Sequence, residues 1–441
     1  MIDIEKYARM ALSECLKECD QAEVLTSIID RRRVLFEGSK VSYVESSRSS
    51  RIGVMAIKNK RVGVASQSSL SEESAREAVS KALMFMRNNE PDPEFETLIG
   101  PMKLPAVKDY FDEKLMELSD EELIERGLNI VKLVTSKGGA IIQGELEIAV
   151  LKRYLLNSEG VDVYGLKTRI LYNFTLMVSE NTSASEGFFM RGYTFIDDAK
   201  IEDDVEWMLN LTRKTLKPKK VEGGMLDIVL GPDAVYELLR FVLSYALNGD
   251  HARKRRSPFS EKIGSRVFSK EITVIDDGTI PRGYVTFPCD GEGYPMKRKV
   301  VIDKGILRTF LLDSYTARKM GVESTGNAGT NRPFPSITPT NLIIAQGTKS
   351  LEELIEEVDR GLYIPRIPPA MVNPLTGQFS VELRQAFRIE RGELKDAVRW
   401  GMLSDNIYGM LNRVISVSRN VSRIYNFTIP AISISDVKVE A

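Results

Sequence analysis

A polar break at residues 217–224, between a half that mixes helices with strands and a half that becomes strand-rich, constrains this chain more than any other feature. Ahead of it, helical stripes alternate with strand-like runs. Ala8, Ala11, Leu12 and Cys15 fall at helical spacing, and so do Ala75, Ala78, Val79, Ala82 and Leu83. Ser69 with Glu72 fits a capping box for the second of these helices, with Ser71 as a competing cap. Pro91-Asp92-Pro93 closes it and opens a proline-punctuated linker to about residue 118. A helix capped at Ser119 carries Leu123, Ile124, Leu128 and Val131, and another over 199–216 turns Ile201, Val205, Met208 and Leu209 inward. Between them, residues 22–28, 33–37, 41–47, 51–59, 62–65 and 140–177 read as strands.

The polar stretch 217–224 ends this pattern and predicts a boundary between an N-terminal α/β domain, 1–220, and a β-rich domain, 221–441. The second half opens with a strand at 226–230. Gly231-Pro232-Asp233 then breaks it and starts a helix burying Val235, Leu238, Leu239, Val242, Leu243 and Leu247. Beyond residue 270 come short strands at 272–275, 299–302, 309–312, 342–344 and 379–383, with one helix at 350–360. Strands punctuated by Gly, Asp and Asn turns predict a sheet or barrel. The expected fold class is α+β.

Composition removes several function classes. A 43% hydrophobic fraction beside 28% charged residues fills a core and rules out a wholly disordered chain. Lys+Arg of 61 against Asp+Glu of 62 argues against binding nucleic acid through bulk charge. No apolar run approaches a membrane span, and the first residues lack a basic and apolar leader, so the expected location is the cytoplasm. Three cysteines cannot make a disulfide framework, and Cys15 and Cys19 read as small core residues. The one histidine, His251, excludes His-rich zinc sites and reads as a solvated loop side chain. No Gly-x-Ser-x-Gly elbow, Walker loop or Gly-x-Gly-x-x-Gly turn is present.

What remains is an ordered set of phrases in the second half. They are Asp276-Asp277-Gly278, Asp290-Gly291-Glu292-Gly293-Tyr294-Pro295, Asp303-Lys304-Gly305, Ser324-Thr325-Gly326-Asn327, Pro339-Thr340-Asn341, Gly361-Leu362-Tyr363 and Asn373-Pro374-Leu375-Thr376-Gly377. In this order and spacing the chain resembles the TldD/PmbA family of metallopeptidase-related proteins, more closely its PmbA (TldE) branch. In TldD-like members the helix after Gly-Pro carries His-Glu-x-x-x-His, and a Cys near the C-terminus completes a zinc site. Here Arg240, Phe241 and Tyr245 fall at those three positions, 401–441 has no Cys, and Cys289 lies in the wrong phrase. Arg cannot ligate zinc as a neutral donor and Phe cannot act as a base.

The resemblance implies a non-catalytic TldE-like subunit, with no cofactor of its own and zinc in a TldD-like partner. Together they would cut peptides or unfolded protein segments, and the chain alone would form a homodimer or aggregate weakly. Two rival readings stand beside it: a regulatory, gyrase-modulator type of binding protein, and an autonomous hydrolase with a site free of histidine. Asp290, Glu292, Gly293, Thr325, Gly326, Asn327 and Asn341 are the candidate peptide-channel residues; plain turns, with Asp276-Asp277-Gly278 among them, are the alternative reading. Arg253 to Arg256 reads as a salt-bridged loop.

Overall fold

The computed structural model describes residues 3–330, 333 and 336–441. Its first half is built on a six-stranded antiparallel sheet in the order β3-β2-β1-β4-β5-β6. The strands are β1 (Gln21–Glu37), β2 (Lys40–Lys58), β3 (Arg61–Gln67), β4 (Gly139–Asn157), β5 (Asp162–Glu180) and β6 (Ser183–Tyr193). The sequence predicts two short strands where β1 runs unbroken for 17 residues, and two more where β2 runs for 19. The polar run Asp30-Arg31-Arg32-Arg33 interrupts the apolar pattern but not the ladder. Its charges are met across the strands, Arg33 by Glu45 and Glu145 and Asp30 by Arg48.

Side-chain alternation then splits the sheet into two faces. Val24, Ile28 and Val34 of β1 face helices. Helices α1 (Ile4–Cys15) and α2 (Glu72–Asn88) cover one end of that face, packing Ala8, Ala78 and Val79 on Val24, Ile52 and Val54. Past the short α3 (Glu113–Glu117), helices α4 (Asp120–Ser136) and α5 (Ile201–Lys214) cover the other end around Tyr172 and Phe174. Cys15 and Cys19 are buried in the first of these cores, as expected, with sulfurs 3.5 Å apart. The cap of α2 is Ser71, not Ser69. Its hydroxyl accepts from the Ser74 N–H at 3.1 Å, and Ser74 Oγ accepts from the Ser71 N–H at 2.8 Å.

From residue 219 on, thirteen strands make one mixed sheet. At its centre Gly224–Leu230 lies between Phe427–Glu440, antiparallel, and Arg360–Ile364, parallel. The sheet branches at Phe427–Glu440, which also pairs with Val414–Ile424 and Gly401–Asn406. Helix α6 (Pro232–Ala246) packs over it, followed by α7 (Gly249–Arg253), α8 (Ser314–Lys319), α9 (Leu351–Glu356) and α10 (Ile407–Asn412). Asp276 and Asp277 are not a turn but the end of the strand Val274–Asp277. In the basic run, Arg253 pairs with Asp250 and Arg255 with Glu261. The fold is α+β, and no helix among the described residues is long and apolar enough to cross a membrane.

A buried arginine ties the halves together. Arg191 of β6, its side chain 6% exposed, donates to both carboxylate oxygens of Asp233 on α6 at 2.7 and 3.2 Å. Its Nε lies 3.3 Å from Asp204 of α5, which also accepts from Tyr172 Oη at 2.6 Å.

Helix α2 approaches β3 so closely that a Cβ on Gly63 would lie 2.0 Å from the Ala82 carbonyl oxygen and 2.2 Å from the Met86 nitrogen. Both are helix backbone and cannot rotate away. Gly63→Ala is therefore expected to lower the unfolding free energy by about 3 kcal/mol, the upper range for overpacking, measured as a shift of the urea midpoint.

Candidate functional site

Helix α6 starts abruptly because Gly231 passes against another strand end. Its N–H donates to Ile364 O at 2.9 Å, and a Cβ there would lie 2.6 Å from Pro365 O. Pro232 then sets the first helical turn. The buried stripe of Val235, Leu238, Leu239, Val242 and Leu243 orients the remaining faces. Arg240 turns toward Tyr236, with its guanidinium 5.5 Å from that ring and 4.5 Å from the Phe241 ring, and pairs with Glu237 at 3.0 Å. The pair is coulombic, since Glu237 Oε2 has no aligned hydrogen-bond donor. Burial pushes the Glu237 carboxyl up from its ordinary pKa, and Arg240 opposes that. Phe241, 58% exposed, and Tyr245 line an open groove of about 500 Å³ with Ile337 and Met371. His251 lines it too. It lies on α7 rather than in a loop, its ring 4.2 Å from the Tyr245 ring and its Nδ1 3.2 Å from Tyr245 O.

A zinc ion does not fit this donor set. Arg240 is a cation held by Glu237, Phe241 has no donor atom, and the Tyr245 ring packs against His251 at a tilt of 40°. Among the described residues no three His, Cys, Asp or Glu side chains converge as a metal site.

The structure draws the other candidate residues together below the surface. Asp276 is fully buried. It accepts from Asn327 Nδ2 at 2.9 Å, from Thr340 N and Oγ1 at 2.6 and 2.8 Å, and pairs with Lys299 at 2.8 Å. Thr325 Oγ1 accepts from Leu312 N at 2.6 Å, and Gly326, at φ +70°, comes within reach of Pro295 O. Asn341 Oδ1 accepts from Val285 N at 2.9 Å, while its Nδ2 donates to Asp277 O at 2.7 Å and Thr286 Oγ1 at 3.1 Å. Asp290 accepts three backbone N–H groups, from Glu292, Tyr294 and Ala328. Burial and the Glu292 charge push its carboxyl up to about 7, against the pull of those donors. Glu292 accepts from Ser314 N at the start of α8, and Gly293, at φ +89°, packs on Val161. The candidate residues are all buried, and, apart from the two local bonds from Glu292 and Tyr294 to Asp290, the hydrogen bonds named here join segments apart in the chain.

Asn341 holds the segment 283–287 over the face of the first sheet that carries no helices. Between that segment and the sheet lies a half-open cleft of about 530 Å³. Its apolar wall includes Leu25, Ile29, Leu151, Phe287 and Met296, and its cations are Arg51, Lys152, Arg153, Lys167 and Arg169. Sequence reasoning missed this cleft because its residues come from four strands and several loops far apart in the chain. The only local signal is cations at alternate positions of one strand, Lys167 and Arg169.

Comparison with known proteins gives these phrases a context. The model of the PmbA/TldA metallopeptidase C-terminal domain matches residues 223–441, and that of PmbA/TldA metallopeptidase domain 1 matches residues 22–84. The chain belongs to the PmbA/TldD family. An uncharacterized protein of Methanocaldococcus jannaschii is 29% identical over 419 residues, covering 95% of each chain. The metalloprotease PmbA of Escherichia coli O157:H7 is 23% identical over 449 residues, covering 99% of this chain and 96% of that one. The crystal structure of TldE from Thermococcus kodakarensis has the same fold, with a TM-score of 0.90 at 24% identity over 99% of this chain and 100% of that one. Four of the phrases that carry the family resemblance, at 276–278, 290–295, 324–327 and 339–341, thus supply in this member the residues that surround Asp276 and Asp290 and hang the 283–287 segment.

Two substitutions test that network. Lys299→Met leaves the Asp276 carboxylate buried without its cation and is expected to cost about 3–5 kcal/mol in chemical denaturation. Asn341→Leu keeps the volume but removes the bond to Val285 N–H. Hydrogen exchange at the Val285 amide is expected to accelerate, with a smaller stability loss of about 1–3 kcal/mol.

Proposed function

We propose that this chain is the TldE/PmbA-type, non-catalytic subunit of a TldD/TldE-type metalloprotease. The partner subunit supplies the zinc, and this chain helps hold peptides or unfolded protein segments for cleavage. The observation that carries the reading is the side-chain set on α6. Arg240 is tied to Glu237, and Phe241 and Tyr245 line an apolar groove, where the family's catalytic branch places its zinc ligands and base. A catalytic zinc keeps about three protein ligands and an activated water, and these residues supply neither the ligands nor a proton acceptor. The family match and the likeness to a TldE fold support the branch. In this reading residues 1–220 and 221–441 are two units clamped by Arg191. Asp290, Glu292, Gly293, Thr325, Gly326, Asn327 and Asn341 shape the chamber wall from behind.

The test uses the full chain with a TldD-type subunit from the same source. The isolated chain is expected to hold no tightly bound zinc by elemental analysis and to leave an unfolded peptide intact. It is expected to co-elute with the partner on size exclusion and to raise the partner's chelator-sensitive cleavage. One tightly held zinc per isolated chain, or chelator-sensitive cleavage by that chain alone, overturns the proposal.

A further inference from the structure

The cleft under residues 283–287 is separate from the α6 groove, and its charge is unbalanced in a chain whose total charge is close to zero. Register explains how the cations gather. Arg51 of β2 pairs with Ser27 of β1, Ser27 with Arg153 of β4, and Arg153 with Gly165 of β5, so the four make one row across the sheet. The next row on the same face ends with Leu151 opposite Lys167, and the one after with Ala149 opposite Arg169. With strands ~4.8 Å apart, Arg51 and Arg153 stand about 10 Å from each other across Ser27.

The row is shaped rather than merely crowded. The Arg153 guanidinium lies 4.5 Å from the centre of the Phe287 ring, and its Nη2 donates to Cys289 O at 3.3 Å. Gly165 leaves the room for this. A Cβ there would lie 2.8 Å from Arg153 Cγ and 3.0 Å from Phe287 Cζ. The Arg169 guanidinium lies 4.8 Å from the Tyr284 ring, and its buried Nε has no hydrogen-bond partner. Lys167 Nζ donates to Gly283 O at 3.0 Å and Thr286 O at 3.2 Å, which leaves one of its three N–H bonds uncommitted.

None of these three has a carboxylate within ion-pairing distance among the described residues. Their contacts are carbonyl oxygens and rings. Further along the same face the chain does provide carboxylates. Arg33 pairs with Glu45 and Glu145, and Arg31 with Glu147 at 3.9 Å. The Lys167 ammonium is held well below the ordinary lysine range by burial and by the two guanidinium groups. Partly buried cations with no directly paired carboxylate cost stability, and an anion entering the cleft reduces that cost. Guanidinium forks fixed by stacking match the planar geometry of carboxylate or the oxygens of phosphate. The volume suits a small molecule rather than a protein surface, and the apolar wall of Leu25, Ile29, Leu151 and Met296 suits a partly apolar body.

We propose that this cleft binds a small organic oxyanion, a carboxylate or phosphate carried on a partly apolar frame, with Arg153, Lys167 and Arg169 as its anion-binding groups. Isothermal titration of the full chain tests it with three probes. They are an acetylated peptide of glutamate, leucine and glutamate, its amidated glutamine counterpart, and phenyl phosphate. Saturable binding of either anionic probe is expected, with none of the neutral peptide. Binding of the acidic peptide alone assigns carboxylate, and binding of phenyl phosphate alone assigns phosphate. Affinity is expected to fall at least about tenfold, equivalent to about 1.4 kcal/mol, in Lys167→Met and in Arg169→Gln, and to stay unchanged in the surface control Lys262→Ala. Arg169→Gln breaks no hydrogen bond and keeps the test decisive if Lys167→Met unsettles the 283–287 segment; thermal melts establish that each variant is folded. No saturable anion binding, equal binding of the neutral peptide, or unchanged affinity in the folded cleft variants overturns the proposal.

Discussion

The buried ion pair between Asp276 and Lys299 is the contact on which the second half of the molecule turns. Its carboxylate is wholly inaccessible and the lysine side chain is 8% exposed. Such a pair is costly to desolvate, and it survives only where further donors complete the carboxylate. Here they are Asn327 Nδ2 and the Thr340 N–H and hydroxyl. Completing the carboxylate fixes the relative positions of Val274–Asp277, Arg298–Asp303, the turn at 324–327 and the segment entering Leu342–Ile344. Asn341, next to Thr340, then captures Val285 and Thr286. The carbonyls of that segment in turn receive Lys167 from the other half of the chain. A charge buried in one sheet thereby decides the roof over the other.

Two further contacts keep this relation rigid. Arg191 binds Asp233 with two parallel hydrogen bonds and leans on Asp204, so β6, α5 and α6 cannot shift independently. Thr194, just past β6, donates to Gly283 O at 3.0 Å and pins the roof from the side. The α6 groove is held less tightly. It is lined by exposed Phe241 and Met371, and its one imidazole, His251, lies against Tyr245. The molecule thus has one face where a buried polar network holds a roof over cations with no paired carboxylate, and another built from apolar surface. The first suits fixed recognition of charge, and the second suits contact with a partner or an extended chain.

Much of this was legible locally. The capping box at Ser119, the amphipathic stripes of α2, α5 and α6, the Gly231-Pro232 helix start and the family phrases are all short-range signals. Other features were not. The β1 and β2 strands continue through Asp30 to Arg33 and through Ser46 to Arg51 because partners on neighbouring strands satisfy those polar groups. No window of sequence contains those partners. Asp276 and Asp277 have the composition of a turn, and only the distant Lys299, Asn327 and Thr340 make a strand end tolerable there. Of the two cap candidates the sequence offers for α2, the structure selects Ser71, whose partner is Ser74 rather than Glu72.

The sequence by itself determined the main amphipathic helices, many of the strands, the family, and the chemical unfitness of Arg240 and Phe241 to serve as zinc ligand and base. These depend on residue identity and on spacing within a turn or two. The strand it predicts at 309–312 is only an isolated bridge at Leu311. Tertiary structure alone decided that the family phrases converge on buried carboxylates, that Phe241 and Tyr245 share a groove with His251 while Arg240 turns away, and that cations from β2, β4 and β5 meet under a loop of the other half. Strand register sets those meetings. A shift of one residue in β4 or β5 would send Arg153 and Lys167 to the helix-covered face, and no residue's own chemistry records which register the chain adopts.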